Sequence, residues 1–148
     1  MDKPRILRLD AHLSDLQDIR NFIEEYAQRL NIDASATYDI LLSVTEMVTN
    51  IIVHGYRGES GPIDIEVSQQ DDALVVCLRD EAPPFDPTQV PTPDLTLPLE
   101  RRPVGGLGVY LTREFMDRMS YRRGPRGGNE LVLVKEGVVP NSEEENRI

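Results

Sequence analysis

Three polar side chains recur at four-residue intervals in one otherwise apolar segment, at Glu46, Asn50 and His54. In an α-helix, Glu46 and Asn50 would lie one above the other, and His54 would be rotated from Glu46 by only about 80°. A carboxylate can accept a proton, and an amide oxygen is a hard ligand suited to Mg²⁺. The alternative is a solvated polar stripe, with His54 interacting with the helix dipole. The spacing therefore gives a candidate for general-base and cation chemistry.

A second candidate is Asp80, which follows an apolar run from Ala73 to Arg79 and precedes a stretch rich in proline. A carboxylate at a strand end can accept a hydrogen bond from an exocyclic amine such as that of adenine. An acidic residue at such a place is also a common turn residue, which is the alternative explanation.

Glycines are concentrated in the segment Gly105-Gly106-Leu107-Gly108, just before a pattern of helical period. Without side chains, Gly105, Gly106 and Gly108 let backbone N–H groups approach a phosphate, and a helix N-terminus adds favourable partial charge. The segment lacks the Lys-Ser/Thr pair of a P-loop, and no β-α-β unit supports a dinucleotide fingerprint. The glycines alone indicate an anion site only weakly.

Two amphipathic helices are expected before residue 55. The first begins at Asp10 or Ser14 and lasts about five turns, and the second begins at Asp33 or Ser35 and runs to about His54. Apolar residues at the spacing of a buried helical face are Leu13, Leu16, Ile19, Phe22, Ile23, Tyr26, Ala27 and Leu30 in the first helix and Tyr38, Leu41, Leu42, Thr45, Val48 and Ile52 in the second.

Strand-like runs accompany these helices, and a third helix follows the glycines. The expected strands are Ile6–Leu9, Ile63–Ser68, Ala73–Arg79, Ser120–Arg122 and Glu130–Lys135. The order of strand, two helices, two strands, loop, helix and two strands lacks the strict β-α alternation of parallel nucleotide-binding folds. We therefore expect the α+β class, a two-layer sandwich in which a mixed, mostly antiparallel sheet carries helices on one face.

A long proline-rich loop separates the two halves of the sheet. Seven of the eleven prolines lie between residues 81 and 103, and a structureless loop of more than about 12–15 residues in a compact domain is usually functional or disordered. The loop is therefore expected to be functional or disordered. One domain is expected over residues 1–139, followed by a flexible acidic tail at 140–148.

The composition limits the classes of partner and compartment. Among 148 residues, 26 acids and 16 bases give a formal charge of −10, whereas nucleic acid and anionic membranes require a basic face. Seven arginines between residues 100 and 126 form a local positive island. No apolar run approaches the roughly 18–20 residues that span a bilayer, and no signal peptide is evident. The single cysteine, Cys77, excludes an internal disulfide. We expect a cytoplasmic protein that contacts neither nucleic acid nor membrane.

Taken in order, these motifs resemble the GHKL (Bergerat-fold) ATPase superfamily, which has the histidine-kinase-like ATPase fold. Glu46, Asn50 and His54 resemble its N-box, residues 80–87 its first glycine box, and residues 105–108 its second. The small size and the sequences Pro-Pro-Phe-Asp-Pro at 83–87 and Gly-Gly-Asn-Glu-Leu at 127–131 resemble the stand-alone anti-sigma-factor serine/threonine protein kinases of bacterial partner switching. The resemblance covers roughly residues 5–135.

The resemblance implies an ATP site between the helices and the loop over residues 82–108, which would act as a lid. Asn50 would hold Mg²⁺, Asp80 would bind the adenine amine, and the amides of residues 105–108 would bind phosphate. Glu46 would deprotonate a serine or threonine hydroxyl on the partner. The remaining implied nucleotide-binding residues are His54, Ala82, Phe85 and Leu107. One departure is Ala82, where the family usually has glycine, and its added methyl group either crowds the nucleotide or is harmless if φ is negative.

The resemblance also implies the partners of the chain. A STAS-type anti-sigma-factor antagonist would be the phosphorylated protein, a sigma factor would be a second partner, and relatives can form homodimers. One alternative is a nucleotide-sensing or nucleotide-free module that sequesters a partner without chemistry, for which Ala82 and the acidic surface are the motivation. Another is the detached ATP-binding domain of a histidine kinase, although nothing upstream resembles a dimerisation helix pair with a phospho-accepting histidine.

Overall fold

A computed structural model describes residues 3–98, 106–125 and 127–140. The element order agrees with the expected one. The helices and strands are β1 (Arg5–Ala11), α1 (Leu16–Arg29), α2 (Ala34–Asn50), β2 (Gly61–Gln70), β3 (Ala73–Asp80), α3 (Gly106–Phe115), β4 (Arg118–Arg123) and β5 (Asn129–Lys135), with 3₁₀ turns at Leu13–Asp15 and Pro87–Gln89 and a π-helical turn at Ile51–Gly55.

The five strands form one sheet in the order β1-β2-β3-β5-β4. All four described pairings are antiparallel, so the sheet is antiparallel throughout rather than mixed, and the expected α+β class is confirmed. The hairpin of β4 and β5 folds back so that β5 pairs with β3. In that register Asp80 lies opposite Asn129 on one side and opposite Ile63 on the other.

The sheet separates a large core from a small one because successive side chains point to opposite faces. One face carries Ile63, Ile65 and Val67 of β2 together with the alternate apolar residues of β3 and β5, and it packs against the buried sides of the helices. The opposite face carries a smaller cluster around Val75 and Val134. This arrangement confirms the expected two layers.

The helices follow the expected pattern with three corrections. The Asp33 side chain caps α2 by accepting a hydrogen bond from the Ala36 amide at 2.7 Å, as expected. Asp10 lies in β1 and caps no helix, because a 3₁₀ turn precedes α1, and Leu13 in that turn is 48% exposed. Tyr38 is 61% exposed instead of buried. The reason is that the buried stripe of α2 includes Ile40, which lies about 200° around the helix from position 38.

The second helix does not continue as a regular α-helix to His54. It ends at Asn50, and the next turn is a π-helix, in which the Tyr56 amide donates to the Ile51 carbonyl at 2.8 Å. Such π-helical turns are frequent at functional sites. The combined segment Ala34–Gly55 is long and apolar enough to cross a membrane by length and composition alone. Its buried residues pack in the core of the domain, as a core helix of a soluble protein would.

The described part of the proline-rich loop is attached to the domain rather than free. Pro87 is buried, and its carbonyl accepts a hydrogen bond from Arg113 Nη2 of α3 at 2.6 Å. Asp86 caps the short 3₁₀ turn by accepting from the Thr88 amide at 2.9 Å. The predicted lid is therefore attached to the domain through its first third, residues 82–90. Residues 99–105 of the lid, and the tail after Pro140, lie outside the described residues.

Candidate functional site

A cavity of about 690 Å³ lies between the end of α2, the ends of β3 and β5, and the proline-rich loop. This volume is within the range of small-molecule sites, about 300–1,000 Å³. The sequence-predicted residues that line it are Asn50, His54, Asp80, Ala82, Phe85 and Gly106. Motifs up to 56 positions apart in the chain thus meet at one place.

Asp80 is a buried carboxylate in the wall of this cavity. Its Oδ1 accepts hydrogen bonds from the Ala82 amide at 2.9 Å and from Asn129 Nδ2 at 2.8 Å. Burial raises the pKa of Asp80 above its ordinary value, and these two hydrogen bonds oppose that rise. Within the described residues, Oδ2 accepts no hydrogen bond. Asp80 therefore retains an acceptor for a donor group on a ligand.

Asn50 and His54 stand on the opposite side from the strand ends. Both line the cavity, Asn50 half-buried and His54 exposed. Within the described part of the chain, the Asn50 side-chain amide makes no hydrogen bond, so its oxygen is available to a cation. No group of three or more His, Cys, Asp or Glu residues that could hold a metal occurs in that part. A bound Mg²⁺ would thus take most of its ligands from substrate phosphates and water, as it usually does.

Glu46 lies beside the cavity and is not one of its lining residues. Its carboxylate contacts the first turn of α3, where a Cβ added to Gly108 would be 2.6 Å from Glu46 Oε2. Gly108 is buried, whereas Leu107 is 39% exposed and does not line the cavity. Gly105 is outside the described residues. The fold thus brings the acid of α2 to the N-terminal turn of α3.

Ala82 occupies the place of the usual glycine without backbone strain. The described non-glycine residues with positive φ are Asn31, Arg57 and Asp71, so Ala82 is not among them. A Cβ on Gly55 would be 2.8 Å from the Ala82 Cβ, so the methyl group packs on the π-helical turn. Ala82 is 4% exposed. The departure is accommodated because Gly55 leaves room for it.

Two residues at the site are not predicted by the sequence pattern, Arg57 in the cavity wall and its chain neighbour Tyr56. The Tyr56 hydroxyl donates to the Pro62 carbonyl at 2.6 Å and accepts from the Glu81 amide at 2.8 Å, which ties the π-helical turn to the end of β3. Burial is the main cause of its raised pKa. Arg57 is the one lysine or arginine among the cavity-lining residues that the structure describes. Only the motif His-Gly-Tyr-Arg at 54–57 could have indicated them.

The third unpredicted residue is Asn129, the first residue of β5. It is 8% exposed, lines the cavity and contacts Asp80 directly. Its position in the sequence Gly-Gly-Asn-Glu-Leu was a signal for the family but gave no indication of its contacts. Those contacts depend on the pairing of Asp80 with Asn129 across two strands.

The sequence matches the histidine kinase-like ATPase domain family over residues 9–135. The chain belongs to this family. It is 29% identical over 133 residues to the serine/threonine-protein kinase BtrW of Bordetella bronchiseptica, a match that covers 89% of this chain and 93% of the relative. It is 28% identical over 115 residues to the serine-protein kinase RsbW of Bacillus cereus strain Q1, covering 75% of this chain and 72% of the relative.

Solved structures agree with the fold of a histidine kinase-like ATPase domain. The crystal structure of the RsbU and RsbW domains of a Mycobacterium tuberculosis protein superimposes with a TM-score of 0.63 at 19% identity, covering 91% of this chain and 32% of the other. The catalytic domain of the histidine kinase ThkA superimposes with a TM-score of 0.53 at 17% identity, covering 90% of this chain and 96% of the other. The expected fold family is therefore confirmed.

Proposed function

We propose that this chain is an ATP-dependent serine/threonine protein kinase and anti-sigma regulatory factor that phosphorylates a STAS-type anti-sigma-factor antagonist. The observation that carries the proposal is the meeting of Asn50, Asp80 and Gly106 around one cavity of about 690 Å³ in a histidine kinase-like ATPase domain. The names of the relatives, serine/threonine-protein kinase and serine-protein kinase, support the reaction class.

The cavity residues fit a magnesium nucleotide. Asp80 Oδ2 is an acceptor for the exocyclic amine of adenine, and the Asn50 amide oxygen is a hard ligand for Mg²⁺. Amides at the start of α3 would donate to phosphate oxygens, where the helix dipole also favours negative charge. Ala82 and Phe85 would form the apolar side of the purine site, with His54 at its edge, and Leu107 would contribute its backbone amide to the phosphate-binding turn. Mg²⁺, when bound, would neutralise charge on the phosphates.

Glu46 is the residue we assign to proton transfer. It would accept the proton of the partner's hydroxyl group while the hydroxyl oxygen forms a bond to the terminal phosphorus and the bond from that phosphorus to ADP breaks. The carboxylate lies against the first turn of α3, so the base and the phosphate-binding amides share one location. Most of the rate enhancement in such a site comes from positioning and electrostatic stabilisation.

The remaining partner assignments follow from the family and the charge. The family resemblance also implies a sigma factor as a second protein partner, and related kinases can form homodimers. A formal charge of −10 disfavours direct contact with nucleic acid or an anionic membrane. We place the protein in the cytoplasm. We also propose that residues 1–139 form one domain, with a lid over residues 82–108.

One observation favours a second function, a nucleotide-binding module that holds a partner without phosphorylating it. Glu46 does not line the cavity, and its carboxylate already contacts α3. If nucleotide binding leaves this contact in place and the partner's hydroxyl cannot reach Glu46, the chain would bind ATP without transferring phosphate.

The two functions are separated by a transfer assay with γ-labelled ATP, Mg²⁺ and the STAS-type proteins encoded beside this chain. A kinase labels a serine or threonine of one of them, and Glu46→Gln reduces the labelling rate at least about a hundredfold while ATP affinity stays within about threefold. Glu24→Gln, at an exposed position of α1, is the matched control and should label normally. ATP binding with no labelling by the wild-type protein would favour the binding module.

A further inference from the structure

The Asn129 side chain forms hydrogen bonds with five different groups. Its Nδ2 donates to Asp80 Oδ1 at 2.8 Å, to the Ala82 carbonyl at 3.3 Å and to the Pro83 carbonyl at 3.2 Å. Its Oδ1 accepts from the Phe85 amide at 2.9 Å and from the Tyr121 hydroxyl at 2.6 Å. One buried side chain thus contacts three parts of the domain.

These contacts fix which way the amide group points. Both partners of Oδ1 are donors, and all partners of Nδ2 are acceptors. A flipped amide would direct its oxygen at the Asp80 carboxylate and its NH₂ group at the Phe85 amide, which can only donate. The network therefore permits a single orientation, and in it Asp80 Oδ1 is occupied and Oδ2 is left for a ligand.

The same side chain satisfies the backbone at the start of the proline-rich loop. Pro83 and Pro84 have no N–H group, so this segment cannot continue the ladder of β3. The amide of Phe85 is the first N–H group after them, and Asn129 accepts its hydrogen bond. Asn129 also donates to the carbonyls of Ala82 and Pro83. Buried backbone groups require such partners.

We infer that Asn129 is a positioning residue that holds the purine-reading carboxylate of Asp80 and the first residues of the lid, 82–85, in one fixed relation. Asn129 itself need not touch the nucleotide. Tyr121 of β4 fixes Asn129 in turn, since its hydroxyl donates to Oδ1. The nucleotide-reading part of this inference rests on the proposed ATP site, whereas the part that concerns the lid does not.

The lid part is tested by hydrogen exchange on the nucleotide-free protein. Asn129→Leu removes every hydrogen bond of the side chain at similar volume. We expect the Phe85 amide to exchange at least about tenfold faster than in the wild type, while the amides of β5 remain protected. Equal exchange at Phe85 in the two proteins would overturn the inference, whatever the protein binds.

The nucleotide part is tested by calorimetry with ATP and with purine riboside triphosphate, which lacks the 6-amino group, both with Mg²⁺. We expect the wild type to prefer ATP at least about tenfold and Asn129→Leu to reduce this preference to less than about threefold. A folded variant that binds both nucleotides more weakly but keeps the preference would show a merely structural role and overturn the inference. Asn21→Leu, exposed on α1, is the matched control and should keep the wild-type preference.

Two further results complete the test. If Asn129→Leu does not fold, Tyr121→Phe takes its place, because it removes one of the two donors that fix the amide. It should lower the preference for ATP at least about threefold, and an unchanged preference would overturn the inference. A wild type that binds neither nucleotide would instead refute the proposed function, and the exchange result at Phe85 would still decide the lid part.

Discussion

Asp80 combines burial with an acceptor oxygen that faces a cavity. A buried carboxylate is costly unless it is hydrogen-bonded, and here one oxygen receives two hydrogen bonds. Burial still dominates, since the pKa of Asp80 lies above its ordinary value. Such a shifted group in a cleft is a frequent mark of a functional site.

The raised pKa predicts how Asp80 contributes to stability as pH changes. Between the ordinary value and the raised value, the folded state binds more protons at Asp80 than the unfolded state does, so its contribution falls as pH rises through that window. Asp80→Asn removes this dependence. The free energy of unfolding of the wild type, measured with urea, should therefore decline relative to that of Asp80→Asn as pH rises from about 4 to about 7. A difference that grows over this range would contradict the assigned direction.

The sequence predicted Asp80 but not Asn129, for a physical reason. A carboxylate at the end of an apolar run is visible in the local sequence. The role of Asn129 depends on a residue 49 positions away, which becomes its neighbour only through the register of β3 and β5. Arg57 was missed for the same reason, because its place in the wall depends on the π-helical turn. Tyr56 was also missed, and its hydroxyl links that turn to Pro62 and Glu81.

The first turn of α3 must approach α2 closely enough to contact Glu46. A Cβ at Gly108 would be 2.6 Å from Glu46 Oε2, whereas a Cβ at Gly106 would have nothing within 4 Å. The two positions in this turn are therefore occupied by glycine for different structural reasons. Gly108 is required by the contact with α2, and Gly106 leaves the helix start open toward the cavity.

The contact predicts different effects on phosphate transfer for two alanine substitutions. Gly106→Ala should leave the fold unchanged or stabilise it by up to about 1 kcal/mol, because alanine favours the helix. Gly108→Ala should push the end of the flexible Glu46 side chain aside at little cost in stability and lower the rate of phosphate transfer by about tenfold to a hundredfold. Thermal unfolding and the labelling assay measure the two effects. Equal behaviour of the two variants would show that Glu46 does not depend on the close approach.

At the start of β5, the backbone of Gly128 lies similarly close to the backbone at the end of β3. A Cβ there would be 2.0 Å from the Asp80 carbonyl oxygen, and φ is +77°, whereas Gly127 has φ of +89° and nothing within 4 Å. Both alanine variants carry the cost of a left-handed backbone, about 1–2 kcal/mol. Gly128→Ala should lose at least about 2 kcal/mol more than Gly127→Ala in denaturant unfolding, because the collision adds to it. Similar losses would mean that the strands separate easily at this point.

At the scale of elements, the sequence predicted which segments are helices and strands better than it predicted their details. Long periodic runs gave α1, α2, β2 and β3 because hydrophobic periodicity is a strong local signal. The exposed Tyr38 and the 3₁₀ turn before α1 were missed. In both cases an apolar residue matched the helical spacing, while packing of the sheet decided which side of the helix was buried.

At the scale of the whole molecule, element order was enough to predict the α+β sandwich but not the order of strands. The strand β5 lies between β3 and β4, and this insertion brings the start of β5 to the end of β3. Pairing between distant strands depends on the complete fold, and no local pattern reports it. The family resemblance therefore predicted six of the residues that line the cavity, Asn50, His54, Asp80, Ala82, Phe85 and Gly106, whereas the residues that complete its wall were not predicted.

The central claim is that the cavity binds a magnesium nucleotide through Asp80. In Asp80→Asn, the donors at Ala82 and Asn129 would hold the amide oxygen at the Oδ1 position, so an NH₂ group would face the adenine amine. Titration calorimetry with ATP and Mg²⁺ should show binding to the wild type at submillimolar nucleotide and an affinity at least about tenfold lower for Asp80→Asn, with Asp71→Asn in the β2–β3 turn as the control. Absence of binding to the wild type at millimolar nucleotide, or equal affinity for wild type and Asp80→Asn, would contradict the account.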